Sequence, residues 1–252
     1  MTQEELKSFL DYKAQQYEST TFIEHDPIQI PHQFSKKEDV EIASFLTATI
    51  AWGNRISILK SAQKMMNLMD ASPHEFIINH REHDLENFKG FVHRTFNETD
   101  LIYFIQSLKN IYSKHSGLEK LFYSDTMTLQ ERIHHFKKVF FELNHPERSL
   151  KHVSDPLKGS AAKRINMFLR WMVRSNDKGV DFGIWREISP SELSIPLDVH
   201  TGNIARKLKI LKRKQNDARS LLELDSSLRK FDPNDPVKYD FALFGMGAFE
   251  KF

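Results

Sequence analysis

The chain contains no cysteine. That absence removes a disulfide framework, a thiolate nucleophile, a Cys-ligated zinc and an iron–sulfur cluster together, leaving only histidine and carboxylate metal sites. Glycine and proline are scarce, nine of each in 252 residues, which favours long helices over sheet and turn. Long apolar runs are missing too. The opening MTQEELKSFLDYKAQQYE is acidic in its first turn, so neither a signal peptide nor a membrane span is expected, and a cytoplasmic protein is. Charge of one sign is also lacking, since 36 Lys+Arg stand against 34 Asp+Glu.

That balance conceals an asymmetry. Residues 151–214 hold fourteen bases and six acids, a net of +8 that leaves −6 for the remainder. One face or lobe is therefore expected to be strongly basic, either as a surface for a phosphate-bearing partner or as ordinary solvated helix faces.

Apolar residues recur with helical periodicity along most of the chain, predicting an all-α protein. Helices are expected over 3–18, from Lys37 to Ile50, over 56–69, 73–80, 83–88, 99–114, 117–122, 127–143, 160–174, from Asp198 to about 211, 216–230 and 236–247. Residues 19–36 and 143–159 read as connections. No strand stands out. Met65, Met66 and Met69 are spaced for a core stripe, and Trp171 and Trp185 also read as core. A single unit of two interleaved helical lobes around a cleft is expected, one built from 1–36 plus 150–252 and the other from 37–149.

Two segments carry candidate chemistry. Lys158, Gly159, Ser160, two alanines, Lys163 and Arg164 run from a loop through a glycine turn into a helix. Such a turn presents unpaired N–H groups and the positive helix end to an anion, or it merely lets two helices pack closely. The second is Pro196-Leu197-Asp198-Val199-His200-Thr201-Gly202-Asn203, leading into a helix that bears Arg206. Asp198 is placed to cap that helix. The same carboxylate, held beside a basic hairpin, is also placed to face a sugar-phosphate.

The order of small-residue hairpin, lysine, helix, then Pro-Leu-Asp-Val-His resembles the helix-hairpin-helix DNA glycosylase superfamily. The whole chain also resembles an uncharacterised bacterial family, a domain of unknown function, through AWGNR (51–55), HRTFN (93–97), KHVSDP (151–156), NMFLRWMVR (166–174), PLDVHTGN (196–203) and DPVKYDFALFG (235–245). The glycosylase resemblance implies Lys163 as nucleophile and Asp198 as the essential aspartate. Their wide separation and the missing cysteines point to the cluster-free archaeal 8-oxoguanine DNA glycosylases as the nearer branch. In that branch Asp240 and Phe244 fall where an aspartate bonds the base and an aromatic stacks on it, here with Phe in place of Trp. Trp52, Asn54 and Arg55 fall where such enzymes fill the gap left by an extruded base. Arg170, Arg174, His200 and Arg206 read as phosphate or sugar contacts.

The implied activity is base-excision repair of double-stranded DNA, removing an oxidised purine such as 8-oxoguanine, with Schiff-base lyase chemistry and no cofactor, by a monomer. Expelling the base leaves oxocarbenium character that an ionised Asp198 stabilises. Attack at C1′ needs a neutral Lys163 amine, which burial and the adjacent Arg164 favour. The base must leave the stack to be reached. Two other classes stay open: a nucleic-acid-binding helix-hairpin-helix protein without turnover, and a metal-dependent phosphohydrolase using His80, His83-Asp84 or His134-His135. The spacing of those histidines completes no set of three ligands.

Overall fold

The computed structural model describes residues 1–250. Helices account for 64% of the chain and strands for 2%, so the all-α class holds. In chain order the helices are α1 (Gln3–Tyr17), α2 (Thr20–Ile23), α3 (Lys37–Thr49), α4 (Arg55–Leu68), α5 (Pro73–Asn79), α6 (Glu98–Lys114), α7 (Leu118–Phe122) and α8 (Leu129–Phe140). They continue with α9 (Lys163–Val173), α10 (Val199–Lys207), α11 (Ala218–Phe231) and α12 (Tyr239–Gly245). None of the described helices is long and apolar enough to cross a membrane.

Several expected helices resolve differently. The 83–88 stretch is a 3₁₀ helix, Glu82–Phe88. The helix expected from Ser160 begins only at Lys163, because Gly159 and Ala162 both adopt left-handed backbone that no α-helix continues. The connection at 19–36 contains α2 and two proline-led 3₁₀ turns. One two-residue ribbon, Val92–His93 against Phe96–Asn97, also forms among the described residues.

The chain divides into two compact units. One comprises residues 25–127 and 132–154, the other residues 1–24, 128–131 and 155–252. In the first, α3 is buried at every position from Val40 to Thr49, as a helix apolar on most sides must be. Its Phe45 ring meets Phe104 at 5.8 Å and Phe140 at 5.4 Å, while Phe104 meets Phe140 at 4.7 Å. The methionine stripe Met65, Met66 and Met69 is fully buried here. Asn97 caps α6 in a reciprocal box with Asp100. The same buried Asp100 carboxylate receives the Ser149 hydroxyl at 2.7 Å and the Arg148 guanidinium at 2.9 Å.

In the second unit α1, capped by the reciprocal pair Thr2 and Glu5, packs along α12, and α12 also packs on α10. Trp171 on α9 and Trp185 are both core. This unit contains Lys163, Asp198, Asp240 and Phe244.

Candidate functional site

The turn that leads into α9 is built by its own side chains. Asp155 accepts the Leu157 N–H at 3.1 Å, and the Gly159 N–H closes on the Pro156 carbonyl at 3.0 Å. Gly159 has φ +90, with nothing within 4 Å of where a Cβ would stand. The glycine is thus required by conformation and not by crowding. The Ser160 hydroxyl accepts the Ala162 N–H at 3.0 Å, and Asn166 donates back to the Ala161 carbonyl at 3.0 Å. The turn is entered from the 3₁₀ segments Glu147–His152 and Pro156–Lys158 instead of from an α-helix. Lys158 and Gly159 are exposed and Ser160 half-buried.

Lys163 is the first residue of α9 and half-buried. Among the described residues its amine makes no hydrogen bond or ion pair. Asp198 caps α10, one carboxylate oxygen accepting the Thr201 N–H at 2.9 Å. The capping role expected from sequence is therefore present. Its second oxygen accepts no hydrogen bond among the described residues, and the carboxylate is half-buried.

Asp240 on α12 lies within electrostatic range of both. Its carboxylate is 5% exposed, receives Arg170 Nη1 at 2.5 Å and the Thr201 hydroxyl at 3.3 Å, and interacts electrostatically with both Asp198 and Lys163. Burial pushes its pKa up to about 6; the Asp198 charge adds to that rise, while Arg170 and Lys163 oppose it. Asp240, expected from resemblance at the place of a base-bonding aspartate, is buried and bonded to Arg170 and Thr201. It is committed inside the unit, where it organises Thr201, and through it the start of α10, against α9.

Phe244, one turn later, is half-buried. Its ring meets His200 at 5.8 Å, Phe249 at 6.2 Å and the buried Phe22 at 6.1 Å. The Nδ1 position of His200 bonds the Gly247 carbonyl at 3.1 Å, an interaction that requires a protonated Nδ1. A Cβ on Gly247 would stand 3.0 Å from that of His200, so the glycine permits the close approach. His200 and Phe249 are exposed. An aromatic surface thus lies beside the charged groups of α10 and α12.

Arg170 and Arg174 are not phosphate clamps. They are 3% and 5% exposed. Arg170 pairs with Asp181 and Asp240, and Arg174 with Glu18, Asp181 and Asp235. The paired carboxylates raise the Arg174 pKa well above normal against the opposing pull of burial. Both guanidinium groups also lie over the Phe241 ring, at 4.5 and 5.3 Å. The reason is legible in hindsight: α9 is buried from Ile165 through Val173, so a cation there must find carboxylates inside the protein. Arg206 is corrected likewise. Its guanidinium bonds the Arg213 carbonyl at 2.8 Å and the Asn216 side chain at 2.6 Å, fastening a loop. Arg164 is half-exposed by surface area, yet its surroundings push its guanidinium down to about 10 by desolvation.

The remaining expected contacts belong to the other unit. Trp52 is half-buried, edge-on to His93 at 5.3 Å and nearly parallel to His152 at 6.1 Å. Asn54 caps α4, accepting the Ser57 N–H at 3.1 Å, and Arg55 donates to the His25 carbonyl. Both have local structural work that the sequence reading did not assign. A cradle here was also missed: Gly53, φ +98, lies under the exposed Arg94, whose Nη1 would be 2.7 Å from a Cβ. Of the histidines considered for metal, His80 bonds the Phe76 and Ile77 carbonyls, and His83 pairs with Asp84 at 3.1 Å. Among the described residues no group of three or more His, Asp or Glu is placed to hold a metal ion.

The chain belongs to the family described as "Protein of unknown function (DUF2400)", whose model matches residues 26–249. No curated protein and no solved structure matches the chain.

Proposed function

We propose that this protein is a DNA base-excision glycosylase, with Lys163 as nucleophile and Asp198 as the carboxylate that stabilises the sugar cation. The observation that carries the reading is a contrast within one site. Lys163 and Asp198 both act on the same buried carboxyl, Asp240, yet among the described residues the Lys163 amine is uncommitted and one Asp198 oxygen accepts nothing. An amine and a carboxylate oxygen that are not engaged within the protein are the two groups that Schiff-base chemistry on a sugar needs.

In the proposed reaction the neutral Lys163 amine attacks C1′ of the damaged nucleoside as the C1′–N bond breaks, and the base departs with the bonding pair and takes up a proton. Ionised Asp198 lowers the energy of the oxocarbenium character formed on the way. The proton on the attached amine passes to the ring oxygen as the C1′–O4′ bond breaks and the sugar opens to the iminium. Loss of a C2′ proton then expels the 3′ phosphate. Phe244, with His200 and Phe249 around it, offers an extruded base an aromatic face. Asp240 acts as a positioning residue, because its bonds to Arg170 and Thr201 orient the ends of α9 and α10. With Asp240 so engaged the lesion is open, and oxidised purines such as 8-oxoguanine come first in the test.

Borohydride trapping on duplexes carrying a panel of lesions tests the proposal. A covalent adduct lost in Lys163→Gln is expected. Base release that survives Lys163→Gln but not Asp198→Asn would replace the amine by an activated water. DNA binding with neither adduct nor release would leave the non-catalytic binding protein as the correct reading.

A further inference from the structure

Away from Lys163 and Asp198 in sequence, one stretch carries the densest net positive charge of the chain. Residues 206–219, RKLKILKRKQNDAR, hold seven bases and one acid. Lys209, Lys212, Lys214 and Arg219 are exposed, and among the described residues none of their side chains forms an ion pair or hydrogen bond. Exposed ion pairs contribute little to stability, so cations at such positions can meet an outside anion without cost to the fold. Here the acids are spent on holding the loop. Asp217 takes Arg213 through both oxygens, at 2.9 and 2.5 Å. Glu223 accepts the backbone N–H of Lys212 at 2.6 Å. Arg206 and the Ser227 hydroxyl bind loop acceptors as well.

The loop is also tied to both parts of the candidate site. The Ala218 N–H donates to the Gly159 carbonyl at 3.0 Å, and a backbone bridge joins Ser160 and Asp217. On the other side the Asn216 amide donates to the Asp198 carbonyl at 2.8 Å. Gly202 permits that junction, because a Cβ there would stand 2.7 Å from Asn216 and 2.9 Å from Arg206. A loop held by these bonds, and bearing Lys209, Lys212, Lys214 and Arg219, thus connects the turn before Lys163 with the cap formed by Asp198.

We propose that this loop is a contact surface for the phosphate backbone of double-stranded DNA, with Lys209, Lys212, Lys214 and Arg219 each neutralising a phosphate. The inference rests on the nucleic-acid reading above and is independent of catalysis. Duplex DNA presents one charge per roughly 1.7 Å of axis, and each phosphate neutralised releases counterions, steepening the fall of affinity with salt by about 0.9 in log–log slope.

The test measures binding of a fluorescein-labelled undamaged duplex by anisotropy across a salt series. It compares the full chain with a quadruple variant, Lys209→Gln, Lys212→Gln, Lys214→Gln and Arg219→Gln, and with a control carrying Lys60→Gln, Lys64→Gln and Lys138→Gln. The quadruple variant should lose about 3 to 4 from the slope, each single change about 1, and the control none. Circular dichroism reports whether each variant folds, and the single changes keep the test decisive if the quadruple variant does not. An unchanged slope in the loop variants, an equal loss in the control, or preference for RNA over duplex DNA overturns the proposal. Lys163→Gln and Asp198→Asn are carried in parallel. A slope lost only in the loop variants, with no base release from any lesion, upholds this surface while the glycosylase reading fails; base release with unchanged slopes does the reverse.

Discussion

Helix α9 carries cations of two kinds. At its first position the Lys163 amine is half-buried and, among the described residues, uncommitted; two and three turns further on, Arg170 and Arg174 are nearly inaccessible and saturated with carboxylates. Composition does not distinguish these groups, and a sequence count assigns all three to one basic surface. Position on the helix does. The N-terminal turn opens onto a loop held by Gly159 and Ala162 in left-handed backbone, whereas the middle and end lie in the core. Charge in the core is structural because it must be neutralised to be there at all.

The sharpest way to break that contrast is to remove one cation of each kind. Arg174→Ala leaves Asp181, Asp235 and Glu18 without their shared partner, and truncating one side of a buried charge network costs about 3–5 kcal/mol. Lys163→Gln should change stability by no more than about 0.5 kcal/mol. Urea denaturation of the two variants checks this, and equal losses would erase the distinction.

Asp198→Asn is next in size. The amide oxygen still caps α10, so folding stability should move by no more than about 1 kcal/mol, while base release should fall on the order of 10²–10³-fold as the charge at the sugar cation disappears. Single-turnover excision measured beside thermal melting separates the two effects. A parallel fall in both would make Asp198 a cap alone.

A smaller effect concerns pH. Burial holds the carboxyls of Asp225 and Asp240 up at about 6, from an ordinary value of 3.8. A proton held more tightly in the native state favours folding fully below the unfolded value, and that advantage is lost as pH rises through the native one. Both groups therefore favour the native state most below pH 3.8 and give up their contribution on the way to pH 6. Asp225→Asn preserves an acceptor for the Ile195 N–H, bonded at 3.0 Å, and should flatten the change of urea midpoint across that window. Gly159→Ala should cost about 1 kcal/mol in the same urea titration, from forcing a side chain into left-handed backbone with open space around it.

What the sequence made legible follows the same division. Helical periodicity and capping residues are local signals, so α1, α3, α6 and the cap at Asp198 were readable, as was the burial of Trp171 and Trp185. The wider fates of charged residues were not. Arg170 finds Asp181 and Asp240, and Arg206 finds Asn216, only through tertiary packing that no spacing encodes. One signal was nevertheless available: NMFLRWMVR sets Arg170 between Leu169 and Trp171 and Arg174 after Met172 and Val173, which argues for buried pairing over a wet face. Lys163, Asp198 and Asp240 were singled out by resemblance, and the bonds that tie Asp240 to Arg170 and Thr201 were not legible in the sequence. Thr201 was missed because a hydroxyl one residue beyond a histidine carries no signal of its own.

The measurement that addresses the central claim most directly is mass mapping of the borohydride-trapped complex between the full chain and a duplex bearing an oxidised purine. A reduced sugar adduct on the Lys163 side chain, absent in Lys163→Gln, is the expected result. An adduct on a different lysine, or no adduct and no base release across the lesion panel, would contradict it.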